Sequence, residues 1–241
     1  MRIVAMIPAR LGSQRVSKKN LRLLNGKTLS QWVIDACIES NVFDDIFINS
    51  ESTVFQKIAL DRGVRFYQRP EHLSSNSASN DDFALDFFNA IECDVLVQVN
   101  PTSPFTSSDD LRSFVKMFKD GKYQTLHTVK EEQIEGLYEN SPLNFDPMKQ
   151  MPPSQDLTPV KLFTSSIMAW EKENFRHNME KSGCAVYGGD GKIGYYEIKG
   201  FSTVDIDTEE DFILAEAIAR AQDIKMSDPK YYNPEEKEIF D

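Results

Sequence analysis

Arg2, Arg10, Arg15, Lys18, Lys19, Arg22 and Lys27 all fall within the first 34 residues, and no acid appears before Asp35. The chain as a whole has 27 Lys and Arg against 38 Asp and Glu, a net charge of −11. An acidic protein that gathers cations just after one short apolar run, Ile3 to Ile7, is built to meet a polyanion there. The loop Pro8 to Asn20 holds most of these cations and a single glycine, Gly12. Strand, loop and helix in that order suit phosphate, because loop N–H groups and a helix N-terminus favour anions. With one glycine the backbone cannot approach closely on every side, so side chains must do the holding. Arg10 and Lys19 are spaced to clamp a triphosphate from two sides, with Ser13 as a hydrogen-bond donor. A solvated basic turn is the alternative.

Two common phosphate motifs are absent. Gly26-Lys27-Thr28 mimics the end of a P-loop, but Leu21 occupies the position of its first glycine. No G-x-G-x-x-G follows the first apolar run, which disfavours a dinucleotide fold of that type. A carboxylate pair lies far along the chain. Asp205 and Asp207 alternate within Thr203 to Asp207, read as a strand, so both face one side. Such a pair forms a hard-oxygen site suited to Mg²⁺, which also takes waters and substrate phosphates. The alternative is a strand end that caps the next helix.

The elements that must position these groups follow from periodicity. Ile3 to Ile7, Ile46 to Ile48, Val64 to Phe66 and Val95 to Val99 read as strands. Between them, Leu29, Trp32, Val33, Ala36 and Cys37 fall on one helical face, as do Val54 to Ala59 and Phe83 to Ile91. Ser108 reads as the N-cap of a further helix, with Asp109 and Asp110 in its first turn. Thr208 and Asp211 read as a capping box. The alternation predicts an α/β fold, a mostly parallel sheet with flanking helices.

From Gln133 the pattern breaks. Residues 138–160 hold Pro142, Pro147, Pro152, Pro153 and Pro159, with no clear period. The reading is a single domain over 1–222 with an inserted lobe at about 132–198, followed by a polar tail at 223–241. The apolar residues from Phe163 to Trp170 have no visible partner in one α/β core, which predicts a homodimer formed through that lobe.

The bulk composition excludes several classes. The longest apolar runs are too short to span a bilayer, and Met1-Arg2-Ile3-Val4 lacks the apolar stretch and cleavage site of a signal peptide, so none is expected. Cys37, Cys93 and Cys184 are too scattered for a disulfide framework or zinc site. His72, His127 and His177 share no metal spacing. The expected compartment is the cytoplasm, and neither nucleic acid nor membrane is an expected partner.

Four blocks carry a resemblance. Pro8-Ala9-Arg10-Leu11-Gly12-Ser13 with Lys19-Asn20 and Leu24-Asn25-Gly26-Lys27 comes first. Arg69-Pro70-Glu71-His72-Leu73 with Ala78-Ser79, then Asn100-Pro101-Thr102-Ser103-Pro104, then Asp205-Ile206-Asp207-Thr208-Glu209 follow in order. Together they resemble the acylneuraminate cytidylyltransferases, which activate nine-carbon ulosonic acids. The resemblance implies a nucleotide-diphospho-sugar transferase-like, Rossmann-like fold, with CTP and a sialic-acid-like ulosonic acid as substrates and Mg²⁺ on Asp205 and Asp207. Arg10, Lys19 and Asp207 would be catalytic. Ala9, Arg10, Gly12, Ser13, Lys19, Asn20, Arg69, Ala78, Ser79 and Asn80 would hold the nucleotide. Asn100, Thr102, Ser103 and Gln155 would meet the sugar acid, and Lys161, the nearest cation in the acceptor region, is the candidate for its carboxylate because the family's usual arginine is absent. Departures concentrate in the acceptor half. Asn100 stands where the family usually has Gln, Thr106 and Ser107 where an Arg is common, and Leu162 to Ile167 where it tends to carry R-x-N-G-A-I. Another ulosonic acid, such as a 3-deoxy-octulosonate, or a non-catalytic nucleotide-binding role on the same fold are the alternatives.

Overall fold

The computed structural model describes residues 1–12 and 15–221. Seven strands build one sheet: β1 (Ile3–Pro8), β2 (Asp45–Ser50), β3 (Arg65–Gln68), β4 (Val95–Val99), β5 (Thr125–Glu132), β6 (Val160–Glu171) and β7 (Ile193–Glu197). Their order is β7-β5-β6-β4-β1-β2-β3. β1 runs parallel to β2 and β4, and β2 to β3. β6 runs antiparallel to both its neighbours, β4 and β5. The helices are α1 (Leu29–Ser40), α2 (Thr53–Asp61), α3 (Asn80–Ala90), α4 (Ser108–Gly121), α5 (Lys172–Ser182) and α6 (Glu209–Ala221).

β1 and β4 are almost continuously apolar because both faces of the sheet are covered there. Ile3, Ala5 and Ile7 pack with Val33, Ile34 and Cys37 of α1 and Leu111, Phe114 and Val115 of α4. Val4 and Met6 face the other way, onto Ala84, Phe87 and Phe88 of α3 and Phe175 of α5. A third cluster joins Leu24 and Leu29 to Phe105, Ile206 and Phe212, and so ties α6 back to the start of the chain.

Local capping explains where helices begin. Thr28 with Gln31 and Ser79 with Asp82 form capping boxes. For α4 the cap is Ser107 rather than Ser108. Its hydroxyl accepts from the Asp110 N–H at 3.1 Å and its own N–H donates to that carboxylate at 3.0 Å, a reciprocal pair that needs three-residue spacing. Thr208 and Asp211 form the expected box, with the Asp211 N–H donating at 3.2 Å and the Thr208 N–H at 2.8 Å.

The inserted segment is smaller than its expected span of 132–198. Residues 160–198 contribute β6, α5 and β7, and β6 lies inside the sheet. Ile167 and Ala169 pack on one face, Met168 and Trp170 on the other, so this apolar stretch has its partners within the chain. Residues 133–159 contribute no strand to the sheet and form a short hairpin pairing Leu137–Tyr138 to Ser141–Pro142. Asn144 stitches it together, donating to the carbonyls of Ile134 at 2.8 Å and Thr158 at 2.7 Å. The expected tail, 223–241, lies outside the described residues.

His127 of β5 is buried against Phe163 and Trp170. Burial holds its imidazole down at about 4. An unfolded histidine titrates near 6.5. The native state therefore binds fewer protons than the unfolded state between those values, and stability rises with pH across that window. Urea unfolding is expected to show about 2 kcal/mol less stability at pH 5 than at pH 7 from this residue. His127→Leu is expected to remove that share. An unchanged pH dependence in the variant would refute the assignment.

Candidate active site

The chain runs from β1 outward through β2 to β3, then returns to β4 on the other side of β1. Open α/β sheets bind ligands at such a reversal, beyond the carboxyl ends of the strands. A cleft of about 370 Å³ opens there. Its lining includes Ala9, Arg10, Arg15, Lys19, Asn20, Arg69, Ala78, Asn80, Phe83, Gln98, Asn100 and Thr102.

The basic loop is held from several directions. The Ala9 N–H donates to the Asn49 carbonyl at 3.0 Å, which continues β1 toward the cleft. Asn20 Nδ2 donates to the Arg10 carbonyl at 3.1 Å and closes the loop on itself. Lys18 takes a left-handed conformation, φ 48°, immediately before the short 3₁₀ turn Lys19–Leu21, which carries Lys19 and Asn20 inward. Lys19 Nζ donates to the Ile206 carbonyl and, at 3.2 Å, to Asp207 Oδ1. Arg15 Nη2 reaches the same carboxylate oxygen at 2.9 Å. Asp207 thus meets two cations, one buried and one exposed.

Arg69 braces the opposite wall. It is buried, donates to Ser74 Oγ at 3.2 Å and to the Ala9 carbonyl at 3.3 Å, and lies 5.0 Å from the Phe83 ring. Burial lowers its pKa from the ordinary value, and the Glu51 charge at 3.6 Å works against that. Burial also opposes the charged form of Glu51, but the Leu11 N–H, Ser74 and Arg69 hold its carboxyl below the usual range. Arg10 Nη1 donates to the carbonyls of Ser74 at 3.4 Å and Ser75 at 3.2 Å, and so joins the loop to the segment after β3.

Asp205 and Asp207 do not lie on a strand. A 3₁₀ turn, Gly200–Thr203, leads into an irregular stretch in which the Ile206 N–H donates to the Thr102 carbonyl at 2.8 Å. Ile206 is buried, so the two carboxylates flank an anchored residue at the cleft edge without joining a β-ladder. Asp205 keeps an open side to solvent. Loss of water to its neighbours raises its carboxyl pKa, and the Asp207 charge adds to this, while Thr102 and Lys19 pull it down. Two hard-oxygen donors that repel each other beside a cationic cleft fit Mg²⁺ chemistry. Among the described residues no group of three or more His, Cys, Asp or Glu forms a cage. A metal on this pair would therefore take its remaining oxygens from water and substrate.

Of the residues expected at the site, Ala9, Arg10, Lys19, Asn20, Arg69, Ala78, Asn80, Asn100 and Thr102 share the cleft wall. Several neighbours in the same motifs do other work. Ser79 caps α3 through Asp82. Ser103 is buried, and its carbonyl accepts from the Thr106 hydroxyl at 2.9 Å. Gly12 is exposed and is not part of the lining, and Ser13 lies outside the described residues. Gln155 and Lys161 do not line this cleft. Lys161 Nζ lies 3.1 Å from Glu131 across the β5–β6 pair. The sequence reading missed Glu51, Phe83 and Gln98. Gln98 had one signal, a lone amide in the apolar run Val95 to Val99.

Fold and cleft together define an α/β protein with a cation-lined cleft at the topological switch point of its sheet. The chain belongs to the cytidylyltransferase family, whose profile matches residues 4–237. It is 31% identical over 230 residues to an N-acylneuraminate cytidylyltransferase of Streptococcus agalactiae, covering 88% of this chain and 52% of that protein. It is 29% identical over 223 residues to N-acylneuraminate cytidylyltransferase A of Danio rerio, covering 89% and 50%. The chain thus spans about half the length of these curated relatives. The fold is also that of a CMP:2-keto-3-deoxy-manno-octonic acid synthetase solved in complex with CTP, with a TM-score of 0.69 at 15% identity, covering 93% of this chain and 100% of that one.

Proposed function

We propose that the protein transfers CMP from CTP to the anomeric hydroxyl of a sialic-acid-like nonulosonic acid and releases pyrophosphate. The observation that carries this reading is the inward-turned Lys19 at Asp207, with Arg10, Arg15 and Arg69 around the same cleft. The sugar oxygen attacks the α-phosphorus in line, the bond to the bridging oxygen breaks, and the hydroxyl proton passes to solvent. Little covalent work falls to the protein, so positioning and charge neutralisation dominate. Arg10, Lys19 and Arg15 compensate the β- and γ-phosphates and the leaving pyrophosphate, which compete with Asp207 for the same cations. Asn20 and the wall from Arg69 to Asn80 hold cytidine. Asn100 and Thr102 face the acceptor. Mg²⁺ held by Asp205 and Asp207 would supply Lewis-acid polarisation of the α-phosphate. The reading takes the cytoplasm, where CTP is available, as its compartment. No helix among the described residues is long and apolar enough to cross a membrane.

A pyrophosphate-release panel tests the proposal, pairing CTP, UTP and ATP with N-acetylneuraminate, a legionaminic acid and a 3-deoxy-octulosonate. Turnover is expected with CTP and a nine-carbon acid. Turnover only with the octulosonate would move the acceptor assignment, and none at all would leave a nucleotide-binding protein without this activity.

The working unit in this reading is a homodimer. Ile134, Leu137, Tyr138, Leu143, Met148 and Met151 of the inserted segment are exposed in the single chain. A two-fold interface would bury them and bring Gln155 and Lys161 toward the partner's cleft. Light scattering at micromolar concentration is expected to give twice the chain mass, and a monomer there would defeat the idea.

A further inference from the structure

Gln98 is 2% exposed and lines the cleft from the end of β4. Its amide is the last member of a directed chain. Asn100 Nδ2 donates to the Ser165 carbonyl at 2.6 Å, and Gln98 Nε2 donates to Asn100 Oδ1 at 2.9 Å. A backbone carbonyl can only accept, so Asn100 must turn its NH₂ toward Ser165 and its oxygen toward Gln98. Gln98 must then present its own NH₂ to Asn100, which leaves Oε1 pointing away from the chain. Ser165 itself sits at φ 55°, within the register shift of β6 between Phe163 and Met168, a bulge of the kind that re-aims groups beside active sites. Gln98 Oε1 is buried and has no donor among the described residues. Buried acceptors are normally paired, and an aliphatic side chain here would continue the Leu96 face without burying an unpaired oxygen.

We propose that Gln98 Oε1 accepts a hydrogen bond from a neutral donor, an O–H or amide N–H, on the acceptor sugar acid, and so helps decide which acid the site takes. The inference rests on the function proposed above. In that reading cytidine lies along the wall from Arg69 to Asn80, at the β3 side of β1. Gln98 lies on β4, Asn100 just beyond its end and Ser165 on β6, at the opposite side of β1. The phosphates occupy the basic loop between them, so the group that reaches Gln98 is the acceptor. No charge lies in the Gln98–Asn100–Ser165 chain, which suits a neutral donor rather than the sugar carboxylate.

The test uses the full chain, CTP and a set of ulosonic acids that each lack one donor, a hydroxyl or the N-acyl group. Gln98→Leu is expected to raise KM for the complete acid about tenfold or more, with KM for CTP within twofold. One acid of the set, lacking the donor that Gln98 reads, is expected to behave alike with wild type and variant. A merely structural role would instead affect every acid equally and would overturn the proposal. A shift in KM for CTP or in CTP-over-UTP preference would also overturn it, by assigning Gln98 to the base. Gln98→Met, closer in shape, serves if the leucine variant melts more than a few degrees lower. If wild type turns over none of the acids, the proposed function falls and this assignment falls with it. Turnover by wild type with unchanged constants in both variants overturns this assignment alone.

Discussion

Lys19→Ala is expected to cut kcat/KM about 100-fold or more. Removing one preorganised charge contact at a developing oxyanion costs about 3 kcal/mol. Lys19 has the attributes such a contact requires. It is 9% exposed, so water competes weakly for it. The 3₁₀ turn aims it, and the Ile206 carbonyl and Asp207 hold its ammonium in place before substrate arrives. The fold is expected to survive, because Arg15 remains to pair with Asp207. Steady-state pyrophosphate release, with thermal melting as the control, checks this. Activity within twofold of wild type would remove Lys19 from the proposed machinery.

Excess EDTA is expected to abolish turnover, with Mg²⁺ restoring it, and Asp207→Ala is expected to lower kcat about 100-fold. A triphosphate carries more negative charge than the cleft's cations balance while Asp207 also draws on Lys19 and Arg15. The carboxylate pair is where a divalent cation would make up the difference. Asp205 and Asp207 repel each other at that edge, and a cation held by the pair would relieve this. Asp207→Ala also frees Lys19 and Arg15, so tighter binding of pyrophosphate alongside lost turnover is the expected signature. Full activity in excess chelator would refute the metal role.

Local signals were legible in the amino-acid sequence because their causes are local. Apolar residues spaced for one helical face marked α1 and α3, and the run Val95 to Val99, interrupted only by Gln98, marked a strand covered on both sides. Caps such as Thr208 with Asp211 act over three residues. The basic loop could be read as a polyanion site, since four cations without an acid in that loop cannot be explained by core packing. Motif order then pointed to the family. Tertiary structure alone decided which residues of each motif reach the cleft. Ala78 and Asn80 line it while Ser79 between them caps a helix, and Thr102 lines it while Ser103 turns inward. The same holds for β6. Its apolar run could have served a lobe or a sheet, and insertion between β4 and β5 was settled by pairings such as Asn100 with Ser165, 65 residues apart. Alternation placed Asp205 and Asp207 together but suggested a strand, because an extended segment anchored by one buried residue has the same two-residue period as a β-ladder. Lys19 meets Ile206 across 187 residues, and the Gln98 oxygen is left without a donor only because Asn100 and Ser165 fix its amide. Chain-distant contacts of this kind depend on how the sheet closes around the switch point, which local propensity does not encode.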